Sequence, residues 1–317
     1  MSGQTLVNLA KKDHPGKIEG QVYCIVVDRE EYRKITSEIG GIRISFLFDE
    51  NQHADDIKDT DDDNSAQAKL RVHHGYIPEM NIKERAFDSG SNWALYKSEG
   101  KYVLQDDSLE SSSLPDKLVV LEPDFKTGDI YLRNNLGNNE FDQSLIPDPL
   151  GYPLNQILMI ILLSLRKGVL LHACGIDDSG QGYLFAGNST HGKSTIAKLW
   201  SENHVAVLND DRIIVREKDG DFWMYGTPWH GDFKELSLKG LPIRKIFFLR
   251  HSEKNSAVPR KGAEAVSMLF TRSFPPLWDK KGMDYTLGLL DRMASKLSCY
   301  ELNFLPDKRI IDFVRDI

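Results

Sequence analysis

A chain of 317 residues with 40% apolar and 27% charged side chains has material for one large or two ordinary domains with a real core. Its net charge of -7 argues against a general nucleic-acid or membrane-surface binder. The three cysteines, Cys24, Cys174 and Cys299, are far apart without metal spacing, which fits buried free thiols in a reducing cytoplasm.

In chain order, residues 1–20 read as a loose polar tail, and Met1–Lys17 carries no apolar signal region. The run Gln21–Val27 predicts a strand, Asp28–Ile39 a short helix, and Ile42–Phe48 a second strand started by Gly40-Gly41. Asp49–Asp63 holds eight acids against one lysine. Within it, Asp59-Thr60-Asp61-Asp62-Asp63 lacks the glycine of a calcium loop, so a solvated loop is expected. Two hairpins follow: Trp93–Gln105, turning at Ser98-Glu99-Gly100, and Leu118–Arg133, turning at Lys126-Thr127-Gly128-Asp129. Residues 1–145 are thus strand-rich and hold no evident catalytic cluster. Asp142–Pro153, with Pro147, Pro149 and Pro153, reads as a linker.

The second half has another texture. Ile157–Leu163 is too short an apolar run for a bilayer, so it belongs to a buried helix over Leu154–Arg166. Strands are expected at Val169–Cys174 and Gly182–Ala186, joined by the turn Asp177-Asp178-Ser179-Gly180. That makes an antiparallel hairpin where parallel nucleotide-binding sheets usually place a crossover. Further on, Val205–Leu208 is a strand ending at Asn209-Asp210-Asp211, and Arg212–Arg216 continues extended. Lys218-Asp219-Gly220 turns it back into Phe222–Tyr225, and Ile243–Arg250 is a buried strand. Helices are expected at Gly262–Phe270 and Asp284–Leu297, a strand at Tyr300–Phe304, and a closing helix at Asp307–Val314.

Between the hairpin and Thr195-Ile196-Ala197-Lys198-Leu199-Trp200, which has helical spacing, lies Gly187-Asn188-Ser189-Thr190-His191-Gly192-Lys193-Ser194-Thr195. It satisfies the phosphate-loop pattern G-x-x-x-x-G-K-[ST]. Glycines let the backbone approach anionic oxygens, and the following helix adds its positive dipole end. Lys193 suits the β/γ end of a triphosphate, and the Ser194 hydroxyl suits Mg²⁺. Asp210 and Asp211, at the end of the next strand, fit a metal carboxylate and an acceptor of a hydroxyl proton. His172 reads either as a satisfied core histidine or as a group orienting Asp or phosphate. Arg250, at a strand end, and Arg272, in Thr271-Arg272-Ser273-Phe274 before Pro275-Pro276, could neutralise charge on a transferring group, but ordinary surface charge is the plainer reading of each. Trp229 and Trp278 read as packing residues rather than base-stacking platforms.

Leu171-His172-Ala173, the hairpin, the phosphate loop and Leu208-Asn209-Asp210-Asp211-Arg212 resemble, in that order, segments of bacterial HPr kinase/phosphorylase. Residues 150–317 look like its C-terminal catalytic domain, which is related to phosphoenolpyruvate carboxykinase. More closely, the chain is similar to HPr-kinase-like proteins encoded beside peptide-modification genes, lasso-peptide kinases included. Gly226-Thr227-Pro228-Trp229-His230-Gly231 and Phe304-Leu305-Pro306-Asp307 share that look.

The resemblance implies that Lys193 and Ser194 bind phosphate and Mg²⁺, that Asp211 takes the hydroxyl proton with Asp210 beside the metal, and that His172 stands near that base. His191 departs from the family, which has a small residue there. The family's later glutamate-arginine-glycine segment is not found; Asp232 or Glu235 is the nearest substitute for its metal ligand. The N-terminal half does not resemble that of the HPr enzymes. These departures weigh against HPr itself as acceptor and against reversal by inorganic phosphate.

The expected fold is α/β: a P-loop kinase domain of the HPr kinase/phosphoenolpyruvate carboxykinase type at 150–317, preceded by a β-rich scaffold or recognition region. The expected activity is ATP- and Mg²⁺-dependent phosphorylation of a Ser or Thr hydroxyl in a peptide or small protein. A nucleotide-binding regulator with little catalysis and a kinase of a free small molecule are the alternatives. Family members often form homo-oligomers, though no interface is legible in the residues.

Overall fold

The structure, a computed structural model, describes residues 5–7, 24–29, 32–49, 65–82, 84–89, 93–106, 115–133 and 149–317. Most of the expected tail, the acidic loop beyond Asp49 and the linker up to Asp148 lie outside the described residues. The fold is mixed α/β, with two large mixed sheets and few helices. It divides into two compact units, the first holding the chain up to Leu162 and the second Leu163–Ile317, apart from residues 13–20. Among the described residues no helix is long and apolar enough to cross a membrane.

In the first unit the strands are β1 (Thr5–Val7), β2 (Cys24–Arg29), β3 (Tyr32–Ile39), β4 (Ile42–Asp49) and β5 (Ala68–His74). They continue as β6 (Glu84–Asp88), β7 (Trp93–Ser98), β8 (Lys101–Asp106), β9 (Lys117–Leu121) and β10 (Thr127–Leu132). The ten-stranded sheet runs β1-β2-β3-β4-β5-β10-β9-β8-β7-β6. Period-two alternation builds one apolar row across it: Phe48, Val72, Ile130, Val119, Leu104 and Leu95 are successive cross-strand partners.

Two expectations are corrected here. The Asp28–Ile39 helix is instead the end of β2 and all of β3. Ile35, Thr36 and Ile39 are β-branched, and β3 is paired on both sides, so ladder formation overrides helical spacing. The second hairpin turns at residues 122–126, where Phe125 adopts a left-handed φ of 58°, and Thr127-Gly128-Asp129 belong to β10. Gly128 is glycine because a Cβ there would meet Val120 O at 2.4 Å, a close-approach demand that imitates a turn signal.

Helix α1 (Leu154–Ser164) follows; it stops short of the expected Arg166, which takes a left-handed φ of 63°. The second unit contains β11 (Val169–Asp178), β12 (Gln181–Ala186), α2 (Lys193–Ser201), β13 (Ala206–Asn209), β14 (Arg212–Lys218) and β15 (Asp221–Gly226). Then come β16 (Gly240–His251), β17 (Ser256–Arg260), α3 (Gly262–Phe270), α4 (Lys280–Lys296), β18 (Ser298–Phe304) and α5 (Arg309–Asp316). The expected hairpin is present, since β11 and β12 pair antiparallel. Strand β17 and the first-unit strands β5 and β6 had no expectation attached, and β1, paired with β2, lies within the residues expected as a loose tail.

The second sheet closes on itself. β12 pairs β16 in parallel, β16 pairs β15, β15 pairs β14, and β14 returns to β11. Closure works because β11 and β16 change partners along their length. Val169–His172 pair β14, whereas Ala173–Asp178 pair β12. Side chains alternate accordingly. Tyr183, Phe185, Phe247 and Leu249 face a cluster with Ile196, Ala197 and Trp200 of α2 and Ile310, Ile311 and Val314 of α5. Leu184, Ala186, Ile246 and Phe248 face the other, with Ala265 and Leu269 of α3 and Leu289, Leu290 and Met293 of α4. Trp200 is fully buried, so truncating it would cost about 3–5 kcal/mol.

Candidate active site

The phosphate loop leaves the last residue of β12 and enters α2 at Lys193. Two left-handed residues shape it, Thr190 with φ 68° and Gly192 with φ 90°. Gly192 has a second reason to lack a side chain: a Cβ would lie 2.5 Å from the Phe304 ring and 2.9 Å from that of His251. His251 Nε2 donates to Thr190 O at 3.1 Å and braces the bend. Lys193 is buried, and its ammonium donates to Asn188 O at 3.1 Å. Burial lowers the Lys193 pKa from its ordinary value, against the opposing pull of Asp211.

The acid pair stands across from the loop because β13 ends there. Asn209 is fully buried and fixes the strand end in two directions. Its Nδ2 donates to Thr227 O at 2.8 Å and Trp229 O at 2.9 Å. Its Oδ1 accepts from the N–H groups of Asp211 at 2.6 Å and Arg212 at 2.8 Å. The bend this imposes aims the two neighbouring carboxylates differently. Asp210, 1% exposed, accepts the Ser194 hydroxyl at 2.7 Å, Gly231 N–H at 2.8 Å and Phe233 N–H at 3.2 Å. Gly231 is glycine because a Cβ would come within 2.9 Å of that carboxylate.

Asp211 faces β11. His172 Nε2 donates to its Oδ1 at 2.8 Å, and Arg212 Nη1 lies 2.5 Å from its Oδ2. Burial pushes the Asp211 carboxyl up, but the His172 hydrogen bond and the charges of Arg212, His172 and Lys193 hold it below its ordinary value. It is therefore an ionised acceptor at neutral pH. The Arg212 guanidinium is itself seated over the Phe274 ring at 4.5 Å.

Phe274 belongs to a segment that joins from far along the chain. Where β12 peels away into the loop, residues 272–274 take its place beside β11. His172 N–H donates to Arg272 O at 2.8 Å, and Phe274 N–H donates to Leu170 O at 2.9 Å. This anchors Arg272 next to the loop, over the Phe248 ring at 5.4 Å. Its Nε is buried without a hydrogen-bond partner, as is Nδ1 of His191 in the loop. Two orphaned nitrogens beside a bend of main-chain amides suit an arriving anion.

The structure thus brings together Lys193, Ser194, Asp210, Asp211 and His172, and keeps Gly187, Asn188, Ser189, Thr190, His191, Gly192 and Thr195 in the connecting loop and first helical turn. It does not bring Glu235 to the metal position: that carboxylate accepts the Ser201 hydroxyl at 3.2 Å, at the far end of α2. Of the two arginines weighed from the sequence, the structure places Arg272 beside the loop, whereas Arg250 pairs with Glu301 at 2.9 Å. Phe274 is the residue that sequence reasoning missed; its only local signal is a short break between a helix and Pro275-Pro276.

The donor set around Ser194 fits Mg²⁺ better than a protein-caged metal. Among the described residues no group of three or more His, Cys, Asp or Glu converges. One hydroxyl and one carboxylate, completed by phosphate oxygens and water, is the arrangement Mg²⁺ prefers. All three contacts of Asp210 are to hydrogen-bond donors already in place, so a water-bridged ion disturbs the site least. No protein-family model matches this chain, and no curated protein matches it either.

Proposed function

We propose that this protein is an ATP- and Mg²⁺-dependent kinase of the HPr kinase/phosphoenolpyruvate carboxykinase type that phosphorylates a Ser or Thr hydroxyl of a peptide or small protein. One observation carries the reading: Ser194 meets Asp210 at 2.7 Å beside the loop, while the adjacent Asp211 is held by His172 at 2.8 Å. A phosphate cradle alone only binds. A metal carboxylate and a separate ionised acceptor on consecutive residues supply the two remaining requirements of phosphoryl transfer.

The chain's own groups divide the work. Loop amides and the α2 N-terminus align the triphosphate, and Lys193 swings from Asn188 O to the β/γ oxygens. Ser194 and, through water, Asp210 would hold Mg²⁺, which would supply charge neutralisation to the triphosphate. Arg272, beside the loop, adds positive charge toward the transferring group. Asp211 orients the acceptor hydroxyl and receives its proton as the new O–P bond forms and the bond between the γ-phosphorus and the bridging oxygen breaks, releasing ADP. Because its pKa is depressed, the transfer is late, when the hydroxyl has become acidic.

The deciding experiment incubates the purified chain with MgATP and peptides encoded by neighbouring genes, then maps phosphoryl groups by mass spectrometry. Modification of one Ser or Thr that disappears in Asp211→Asn supports the kinase. Nucleotide binding without modification of any peptide, and without turnover, favours a regulator instead.

A further inference from the structure

The outer rim of the loop carries two histidines, held in different ways. His251 ends β16, and because its partner Thr190 O is a carbonyl, its Nε2 carries a hydrogen. His191 lies in the loop itself. Its main-chain N–H donates to Asn188 O at 3.2 Å, and its Cβ sits 3.0 Å from where a Gly187 Cβ would be. The His191 side chain thus starts out against Gly187, and its Nδ1 is buried and unpartnered. An orphaned ring nitrogen is costly unless a partner arrives for it.

Every charged or titratable group facing that ring is cationic or a histidine: Lys193 from α2, Arg250 and His251 from β16, and Arg272 from the segment after α3. Burial first, and then these neighbours, hold the His191 imidazole below its ordinary range. It is neutral at pH 7 in the protein alone. A permanent cation at this position would add repulsion to an already positive rim. A histidine avoids that cost and still offers a charge once anionic oxygens are alongside.

We propose that His191 is a further ligand of the polyphosphate tail, protonated as it engages, so that nucleotide binding takes up a proton. This rests on the reading of the loop as a nucleotide site. The proton comes from solvent and attaches to an imidazole nitrogen; no bond of the nucleotide breaks. The ring titrates higher with phosphate alongside than without it. Affinity therefore rises as pH falls through the loaded value and levels off below the free value.

Calorimetry of the full chain with MgADP and, separately, with pyrophosphate, in two buffers of different ionisation enthalpy, measures the uptake directly. At neutral pH it should approach about one proton beyond the ligand's own contribution. His191→Gln should remove that difference and weaken binding roughly tenfold at about pH 6, with the gap closing by about pH 9. His251→Gln, which keeps a donor for Thr190 O, should retain the uptake. Uptake that persists in His191→Gln, or is lost only in His251→Gln, overturns the proposal. So does binding to the parent protein without uptake, an outcome that needs no variant to fold and leaves the kinase reading standing. Failure of both probes to bind removes the two together.

Discussion

Two aspartates in this molecule have nearly the same partners. In the first unit Asp129 takes His73 Nε2 at 2.8 Å and Arg71 Nε at 3.1 Å. In the second, Asp211 takes His172 Nε2 at 2.8 Å and Arg212 Nη1 at 2.5 Å. For each, burial raises the carboxyl and the histidine hydrogen bond and arginine charge bring it below its ordinary value. The backbone around them is what differs. Asp129 lies in the middle of an unbroken ladder, with His73 stacked on Tyr131 at 4.7 Å and the Tyr131 hydroxyl pushed up to about 12, chiefly by burial. Asp211 lies where one strand has ended and another has peeled off into the loop that carries Lys193. The same Asp–His–Arg set thus sits inside a continuous sheet in one unit and at a strand end in the other, and only the second placement agrees with the proposed chemistry.

The sharpest way to break that contrast is to neutralise each aspartate. Asp211→Asn should lower phosphoryl transfer by roughly 10²–10⁴-fold while leaving ATP affinity within about threefold. Asp129→Asn should leave transfer unchanged. Single-turnover assays and calorimetry on both variants check this, and equal losses would erase the distinction. Lys193→Ala should act on binding, weakening ATP by roughly 10–100-fold in calorimetry, because it removes a charge-assisted donor to phosphate.

His172→Gln should reduce transfer roughly tenfold and move the acid limb of the kcat profile. The sign follows from the causes. Asp211 stays ionised below the usual carboxylate range because His172 helps hold its pKa down. With that hydrogen bond weakened and its charge gone, burial counts for more, and the limb shifts to higher pH. A limb that stays in place would confine His172 to packing.

The smallest effect belongs to the sheet. The folded pKa of Asp129 is depressed, so its contribution is present above the unfolded value of 3.8 and lost as pH falls through the folded value. Asp129→Asn should cost about 1 kcal/mol in urea melts at neutral pH, with the difference shrinking under strongly acid conditions.

What could be read from the residues follows the same division. The phosphate loop with its flanking strand and helix is one contiguous run, and the acid pair ends the next strand, so glycine spacing and apolar runs were enough to place them. The hairpin at Trp93–Gln105 and the helix at Gly262–Phe270 were legible for the same reason. Arg272 could be named as a candidate but not told apart from Arg250, because its placement depends on a bridge between Leu171 and Ser273, which are far apart in the chain. Asn209 gave no sign of being the staple that separates Asp210 from Asp211. Gly128 misled because glycine answers two different demands, a left-handed turn and the close passage of a neighbouring strand, and one sequence cannot say which.

Strand β11 concentrates these dependencies in two peptide units. His172 N–H goes to Arg272, its C=O accepts Gly187 N–H at 3.3 Å, and Ala173 N–H goes to Asp211 O at 3.2 Å. The start of the loop, the proposed base and the flanking arginine are thus tethered to a single dipeptide. A one-residue insertion just ahead of it would turn His172 toward the opposite cluster and put each tether out of phase. The three parts can only be kept, or lost, as a set.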